Sequence, residues 1–220
     1  MTVNKLFYIG NVTVPSTWIA LIIAFIFSYI AIRLKFGKQH ANRFGDAVFY
    51  LIVIWKLSVI ITDFKIGIDL PLAIIYFNGG IFGFIGGLIF VACWTWHSWM
   101  KDRIDKDGLV ALFMGAVSSQ AVFQVMMVFL KEGSMIARAG TAILFIGLLV
   151  FIWKDVHVSG NHIVPLSLLF MAVHVFVAVI QPKGLWNPQL LVTILIGLFF
   201  TMLFSKVRTF EQINGGNHVE

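Results

Sequence analysis

The stretch VPSTWIALIIAFIFSYIAI, residues 14–32, decides the class of this protein. Its 19 residues contain no charged side chain, and as a helix they would extend about 28 Å, enough to cross the hydrocarbon core of a membrane. A cleaved signal peptide is the alternative, but the basic residues follow the stretch instead of preceding it, and no small-x-small cleavage motif closes it. We therefore interpret residues 14–32 as the first of several membrane spans.

Six further apolar stretches follow, separated by short polar joints. They are residues 46–62, 79–96, 108–130, 139–153, 163–180 and 189–205. The sequence thus predicts an all-α, polytopic transmembrane bundle of about seven helices, and the shortness of the stretch 139–153 leaves six or eight as alternatives. We expect one transmembrane domain at residues 1–208 and a polar tail at residues 209–220, disordered from Glu211 onward.

The composition supports a membrane protein. Hydrophobic residues make up 60% of the 220 residues and charged residues only 12%, against about 45–50% and about 25% in soluble proteins. These proportions exclude a cytosolic enzyme, a nucleic-acid-binding protein and a secreted module. The chain has one cysteine, Cys93, which excludes an internal disulfide and a CxxC redox or zinc site.

The distribution of basic residues predicts the orientation, because cytoplasmic joints are enriched in Lys and Arg. Ten basic residues follow odd-numbered spans, and five lie in the N-terminal segment or after even-numbered spans, which favours an outside N-terminus and a cytoplasmic C-terminus. The ten are Arg33, Lys35, Lys38, Arg43, Lys101, Arg103, Lys106, Lys154, Lys206 and Arg208, and the five are Lys5, Lys65, Lys131, Arg138 and Lys183.

The region between the second and third spans combines an apolar segment with a run of glycines. Residues 66–77 are mostly apolar but too few to cross a membrane, so we interpret them as re-entrant or interfacial at the outer leaflet. The glycines that follow are Gly79, Gly80, Gly83, Gly86 and Gly87. Glycine permits the close approach of a neighbouring helix or of a lipid head group, and the sequence leaves both alternatives open.

Two charged residues belong to the second predicted span. Lys56 is the only Lys or Arg inside a span, and its ammonium group can extend to the membrane interface or bind a lipid phosphate. Asp46 is expected to open the second helix, where its carboxylate either caps the N-terminus or serves a site. Ten residues, about 15 Å along a helix, separate the two, so they do not pair directly.

Uncharged polar residues lie in the fourth and sixth spans. Gln120 and Gln124 share one helical face, and His174 lies in the middle of its span. Each can form interhelical hydrogen bonds or take part in a functional site. Only His157 and His162 are close enough in sequence to share a metal ion, and no Cys or further His completes a ligand set, so we predict no metal and no cofactor.

Several short segments, spread over nearly the whole chain, occur in a characteristic order. They are Gly45-Asp46 after a basic stretch, Ile54-Trp55-Lys56, Gly80-Ile81-Phe82-Gly83-Phe84-Ile85-Gly86-Gly87, Asp107-Gly108-Leu109-Val110 and Pro188-Gln189-Leu190-Leu191. This order resembles the bacterial prolipoprotein diacylglyceryl transferase family. In that family Gly-Ala-Arg stands at the second segment and Gly-Gly-Met-Ser-Phe-His-Gly-Gly at the third.

The resemblance implies a seven-helix fold in a bacterial plasma membrane and a role in lipoprotein biosynthesis. Members of the family transfer diacylglycerol from phosphatidylglycerol to the cysteine thiol of a lipoprotein signal peptide. The implied partners are membrane phospholipid and a lipoprotein or other acylated membrane protein, without nucleic acid. The lipid-binding residues implied by position are Asp46, Lys56, Gly80, Gly83, Gly86, Gly87 and Gln189.

The chain also departs from the family at its most diagnostic positions. Ile85 replaces a histidine, Gln120 an arginine and Val128 a glutamate, although the reaction needs a cation for the phosphate leaving group and a base for the thiol. We therefore predict a divergent, non-catalytic member with a lipid-accessible notch near the outer leaflet. The alternatives are an active phospholipid-dependent transferase that uses Lys56, Gln120, His174 and Gln189, and a small membrane carrier.

Overall fold

The structure is a computed structural model that describes residues 6–9, 12–62, 78–130, 135–156, 162–181 and 184–216, with side chains described for Phe7 and, within these ranges, for residues 14–209. Within these ranges, seven helices are long and apolar enough to span a membrane. They are α1 Ser16–Phe36, α2 Lys38–Leu57 with a short continuation α3 Val59–Thr62, α4 Gly80–Met100, α5 Lys106–Leu130, α6 Met135–Asp155, α7 Ile163–Ile180 and α8 Pro188–Gly216. The predicted all-α bundle of seven membrane-spanning helices is confirmed.

The first two helices are joined more tightly than the sequence predicted. Helix α1 continues through its basic end to Phe36, and α2 begins at Lys38, so Gly37 alone separates them with a φ of 88°. This left-handed conformation is one that glycine adopts at little cost. The prediction that Asp46 opens the second helix is therefore wrong, because Asp46 lies two turns inside α2, where its side chain is exposed.

Helix α5 is the centre of the bundle. Fifteen of its 25 residues are buried, and it contacts α1, α2, α6, α7 and α8. The buried residues of α1 recur every fourth position, at Ser16, Ala20, Ala24, Ser28 and Ile32. This spacing places small side chains on one face of α1 and permits close packing against α5.

The remaining helices form two groups around α5. Helix α4 packs mainly on α2, whereas α7 and α8 pack against each other as an antiparallel pair next to α6. Helices α4 and α8 touch only slightly, so the ring of helices around α5 is loose between them. We call the end of the bundle at which α1 begins, which is predicted to face outside, the Ser16 end. The Phe36 end is the opposite one.

A β-hairpin precedes α1 at the Ser16 end. Strands β1 Leu6–Ile9 and β2 Val12–Pro15 pair antiparallel, with Phe7 opposite Val14. The sequence analysis did not predict this hairpin, although Gly10-Asn11 between two β-forming tetrapeptides is a typical hairpin signal. The small hairpin leaves the all-α class unchanged.

The last helix extends beyond its predicted end at residue 205. Helix α8 continues to Gly216, so residues 211–216 are helical and not disordered as predicted. Two hydroxyl groups support this last part, because Ser205 Oγ donates to the Thr201 carbonyl at 2.7 Å and Thr209 Oγ1 to the Ser205 carbonyl at 3.0 Å. The predicted re-entrant segment 66–77 lies outside the described residues, as do the final residues 217–220.

Candidate functional site

A cavity of about 390 Å³ lies beside the slight contact between α4 and α8. Its walls come from α1, α2, α4, α5 and α8, and the lining residues of α4 run from Phe84 to Thr95, away from both helix ends. The cavity therefore lies within the membrane-spanning part of the bundle. We call it the lateral cavity.

The mouth of the lateral cavity opens sideways between α4 and α8. Four lining residues are also exposed on the outside of the bundle, namely Ile89 and Cys93 on α4 and Leu198 and Met202 on α8. Because both helices span the membrane, this mouth faces lipid. A molecule dissolved in the bilayer can enter without passing through water.

The lining of the lateral cavity is almost entirely apolar. Aliphatic and aromatic side chains cover most of its wall, and no charged side chain is among the described residues that line it. The hydroxyl groups of Thr95 and Ser119 and the carboxamide of Gln120 are the polar groups on this wall. Ser119 Oγ donates to Ser28 Oγ at 3.0 Å, so the Ser119 hydroxyl is bound within the helix bundle.

A group of polar side chains joins α5 to the α7–α8 pair next to the lateral cavity. Gln120 Nε2 donates to the Gln189 carbonyl at 3.1 Å, and Gln124 Nε2 lies 3.4 Å from Gln189 Oε1 and 3.3 Å from His174 Nε2. His174 Nδ1 lies 2.5 Å from Thr193 Oγ1. We call Gln120, Gln124, His174, Gln189 and Thr193 the polar cluster.

The hydrogen bonds of the polar cluster determine the tautomer of His174. The Gln124 amide nitrogen is a donor only, so His174 Nε2 must accept and His174 Nδ1 carries the proton that is donated to Thr193. His174 is completely buried, and the edge of its ring meets Phe145 at a centroid distance of 5.2 Å. In this arrangement His174 is a neutral imidazole that ties α7 to α5 and α8.

The polar cluster continues toward the Ser16 end. Asn187 Oδ1 accepts from the Gln189 N–H at 3.1 Å, and Asn187 Nδ2 donates to Gln181 Oε1 at 3.2 Å. Gln181 Nε2 in turn lies 3.5 Å from Thr141 Oγ1 on α6. Asn187 therefore caps α8 and links it to the ends of α6 and α7.

The sequence indicates four members of this cluster, Gln120, Gln124, His174 and Gln189, but not their other partners. Gln120, His174 and Gln189 are brought together, as the transferase alternative required. Thr193, Asn187, Gln181 and Thr141 were missed. The seven-residue spacing of Ser167, His174 and Gln181, which places polar groups along one face of α7, is a sequence signal that could have found Gln181.

Lys56 occupies a different corner of the bundle, at the Ser16 end of α1, α2 and α4. Its ammonium nitrogen lies 3.9 Å from the centre of the Trp18 ring, a cation–π contact. The ring centroids of Trp18 and Trp55 lie 5.9 Å apart, and Trp55 Nε1 donates to the Gly80 carbonyl at 2.8 Å. Lys56 is not among the residues that line the lateral cavity.

The glycines of α4 divide into two groups. A Cβ on Gly83 would collide with Ser58, and a Cβ on Gly87 would lie 2.8 Å from Leu51 Cδ1 and 2.9 Å from the Leu51 carbonyl oxygen. Gly80 and Gly86 have no neighbouring atom within 4 Å of such a Cβ. Gly83 and Gly87 therefore serve the close packing of α4 on α2, whereas Gly80 and Gly86 leave open space beside α4.

Charged contacts concentrate at the Phe36 end. Arg43 Nη1 lies 2.8 Å from Asp105 Oδ1, and Arg43 Nη2 donates to the Arg103 carbonyl at 2.9 Å. Asp105 Oδ1 also accepts from the Gly108 N–H at 3.3 Å and so caps α5. Partial burial alone would raise the pKa of the Asp105 carboxyl, but the hydrogen bond from Arg43 and the positive charges nearby hold that pKa below its usual value.

A lysine fastens α1 to α6 at the same end. Lys35 Nζ donates to the carbonyls of Trp153 at 2.7 Å and Val156 at 3.1 Å, and it lies 5.1 Å from the centre of the Trp153 ring. Trp153 Nε1 donates to Ser118 Oγ at 2.9 Å. Lys35 thus binds the free carbonyls at the C-terminus of α6.

The described residues include no group of three His, Cys, Asp or Glu side chains placed to hold a metal ion. His162 Nδ1 lies 3.2 Å from Asp155 Oδ2. His157 lies outside the described residues, so the absence of a metal at His157 and His162 stays a prediction.

The chain matches no protein family model, no curated protein and no solved structure. The assignment of function therefore rests on the lateral cavity and the polar cluster.

Proposed function

We propose that this integral membrane protein binds an acyl chain of a membrane phospholipid in the lateral cavity. We propose further that it is a divergent, non-catalytic protein of the bacterial plasma membrane with a prolipoprotein diacylglyceryl transferase-like fold. The observation that carries the binding function is the lipid-facing mouth of a cavity with an apolar wall. Phospholipid acyl chains are the most abundant apolar molecules at that depth of a membrane.

The chemistry of the wall supports an acyl chain over a polar or ionic cargo. An ion or a charged metabolite needs charged or multiple polar groups to replace its hydration shell, and the described lining residues provide no charged group. The bilayer is itself apolar, so the hydrophobic effect does not drive a chain into the cavity. Binding then depends on van der Waals contacts with the cavity wall and on filling of the cavity.

The position of His174 supports binding over catalysis. A general base must reach the proton that it removes, whereas His174 is completely buried among Gln124, Thr193 and Phe145 and does not line the lateral cavity. Its hydrogen bonds engage both ring nitrogens. Neither ring nitrogen is therefore available to a substrate thiol in this conformation.

Photo-crosslinking tests this proposal. The full-length protein is placed in nanodiscs whose phosphatidylglycerol carries a diazirine in one acyl chain. The nanodiscs are irradiated, and crosslinked peptides are identified by mass spectrometry. We expect crosslinks on the cavity-lining parts of α4, α5 and α8. The variant Ala116→Leu fills the cavity from α5 and should reduce these crosslinks strongly. The matched control Ala172→Leu adds the same group to the exposed face of α7.

Crosslinks spread evenly over the lipid-facing surface, or unchanged by Ala116→Leu, would contradict acyl-chain binding. A protein that gives no crosslink to α4, α5 or α8 would contradict it as well.

One observation favours the alternative of an active diacylglyceryl transferase. Three of the four residues assigned to it, Gln120, His174 and Gln189, lie together in the polar cluster. Complementation of a transferase-depleted bacterial strain and a direct assay of diacylglyceryl transfer decide between the two functions. Rescue by the wild type but not by Lys56→Ala or His174→Ala would replace our proposal with the transferase.

A further inference from the structure

Helix α8 takes part in both the lateral cavity and the polar cluster. One part of its surface, including Val192, Ile196 and Phe199, lines the cavity. Gln189 and Thr193 on the same helix belong to the polar cluster. The same helix thus connects the polar cluster near its Ser16 end to the cavity mouth at Leu198 and Met202.

The contacts of α8 show where this helix can move. Helices α7 and α8 pack tightly as a pair, with Gly197 against Met171, but α8 makes few contacts with α5 and with α4. At the level of the polar cluster, α5 holds this pair through Gln120 and Gln124. The bond between His174 and Thr193, in contrast, lies within the α7–α8 pair.

We propose that Gln120 and Gln124 form a latch that holds the α7–α8 pair against α5 and keeps the mouth of the lateral cavity narrow. When the latch is released, the pair moves away from α4 and α5 and an acyl chain enters or leaves. The purpose of this latch rests on the proposed function of acyl-chain binding. The latch itself is a property of the helix contacts and can be tested separately.

Gln124 is the residue best suited to test the latch. Its amide contacts both Gln189 and His174, and it does not line the cavity. Gln124→Met keeps the length of the side chain and removes both contacts. Gln189→Met removes one of the same contacts from the α8 side. Thr193→Val is the matched control, because it removes a buried hydrogen bond of the same cluster inside the α7–α8 pair.

Distance measurements by pulsed electron paramagnetic resonance provide the readout. Cys93, the single cysteine of the chain, lies at the mouth of the lateral cavity. One spin label on Cys93 and a second on Leu191→Cys, which is exposed on α8, report the distance between α4 and α8. We expect Gln124→Met and Gln189→Met to shift the distribution to longer distances. Combining the two should add little, whereas Thr193→Val should leave the distribution unchanged.

Lipid exchange gives a second measurement. The decay of crosslinking after dilution with unlabelled lipid measures how fast a diazirine phospholipid leaves the cavity. This release should accelerate on the order of tenfold in Gln124→Met, as expected for a lost contact worth about 1.4 kcal/mol.

The two proposals fail in different ways. If wild-type protein crosslinks acyl chains in the cavity but Gln124→Met leaves the label distance unchanged, the latch is wrong and lipid binding stands. If the distance shifts but no acyl chain crosslinks, the latch stands and the proposed function is wrong. An equal shift in Gln124→Met and Thr193→Val would overturn the latch, because it would indicate a general loosening of the bundle.

Discussion

Two regions of this bundle hold their helices together by different means. Helix α4 is held on α2 by the glycines Gly83 and Gly87, which let the two helices approach closely. The α7–α8 pair is held on α5 by the amides of the polar cluster. Lipid is as apolar as the helix surfaces, so hydrophobicity does not drive helices together in a membrane. Close packing and hydrogen bonds take its place.

These two ways of holding helices together explain the position of the lateral cavity. Helices α4 and α8 have neither a glycine contact nor a hydrogen bond between them among the described residues. Each is fastened to a different partner, and the space that remains between them is the cavity. The cavity thus exists because α4 is held on α2 and α8 is held on α5 and α7, whereas α4 and α8 do not hold each other.

Replacement of a packing glycine should have the largest effect on stability. Gly87→Ala places a Cβ 2.9 Å from the Leu51 backbone carbonyl, which cannot move independently of α2. We expect the free energy of unfolding in mixed detergent micelles to fall by about 1–3 kcal/mol, as for other overpacked sites. The control Gly86→Ala adds the same methyl group one residue away, where no atom lies within 4 Å, and should be neutral or stabilising. Equal losses in the two variants would refute the role of close packing.

The sequence predicted the seven spans because their length and apolarity are local properties. It could not identify α5 as the central helix, since α5 is less apolar than α7 and yet far more buried. In a membrane, apolar side chains suit both the core and the lipid-facing surface, so apolarity does not separate the two. Gly115 is the better signal, because a Cβ there would collide with Phe44 of α2 and Ile32 of α1.

The candidate site shows the same limit. Gln120, Gln124 and His174 stand out in the sequence because polar groups in a span are costly. Their partners Gln189 and Thr193 lie on another helix, and only the packing of α8 brings them into contact. The lateral cavity has no sequence signal at all, because ordinary apolar residues of five helices line it.

A double-mutant cycle measures how strongly one hydrogen bond of the polar cluster holds its helices together. His174→Leu and Thr193→Val each remove one partner of the same hydrogen bond. We expect a coupling free energy of about 0.6–1.7 kcal/mol, the range found for hydrogen bonds between membrane helices. The control cycle pairs His174→Leu with Thr201→Val, because the Thr201 hydroxyl is buried on the same helix as Thr193 and has no hydrogen-bond partner among the residues that the structure describes. A control coupling as large as the first would show that the hydrogen bond is not its source.

The charged contact between Lys35 and the end of α6 should contribute less to stability, because it lies close to water. Lys35→Met removes the ammonium group that binds the carbonyls of Trp153 and Val156 at the end of α6. The expected loss of stability is about 0.3–1 kcal/mol, typical of a cation at an exposed helix C-terminus, and it should shrink at high salt. Lys154→Met removes an exposed charge from the last turn of α6 and serves as the control. A loss that does not respond to salt would indicate that packing of the lysine stem is responsible.

The smallest effect is expected for the ion pair that joins α2 to the turn before α5. Partial burial alone would raise the pKa of Asp105, but the hydrogen bond from Arg43, a backbone hydrogen bond and the nearby positive charges together make it lower in the folded protein than in the unfolded chain. The unfolded chain therefore binds a proton more readily, and the stabilisation present above an unfolded pKa of about 3.9 is lost as the pH falls through and below that value. The Asp105 side chain is 59% exposed, so the contribution should lie at the low end of about 0.2–1 kcal/mol. Asp105→Asn should lower stability by this amount at pH 7 and by less at pH 3. An undiminished difference at pH 3 would assign the effect to the cap on α5, where Asp105 Oδ1 accepts from the Gly108 N–H, and not to the charge.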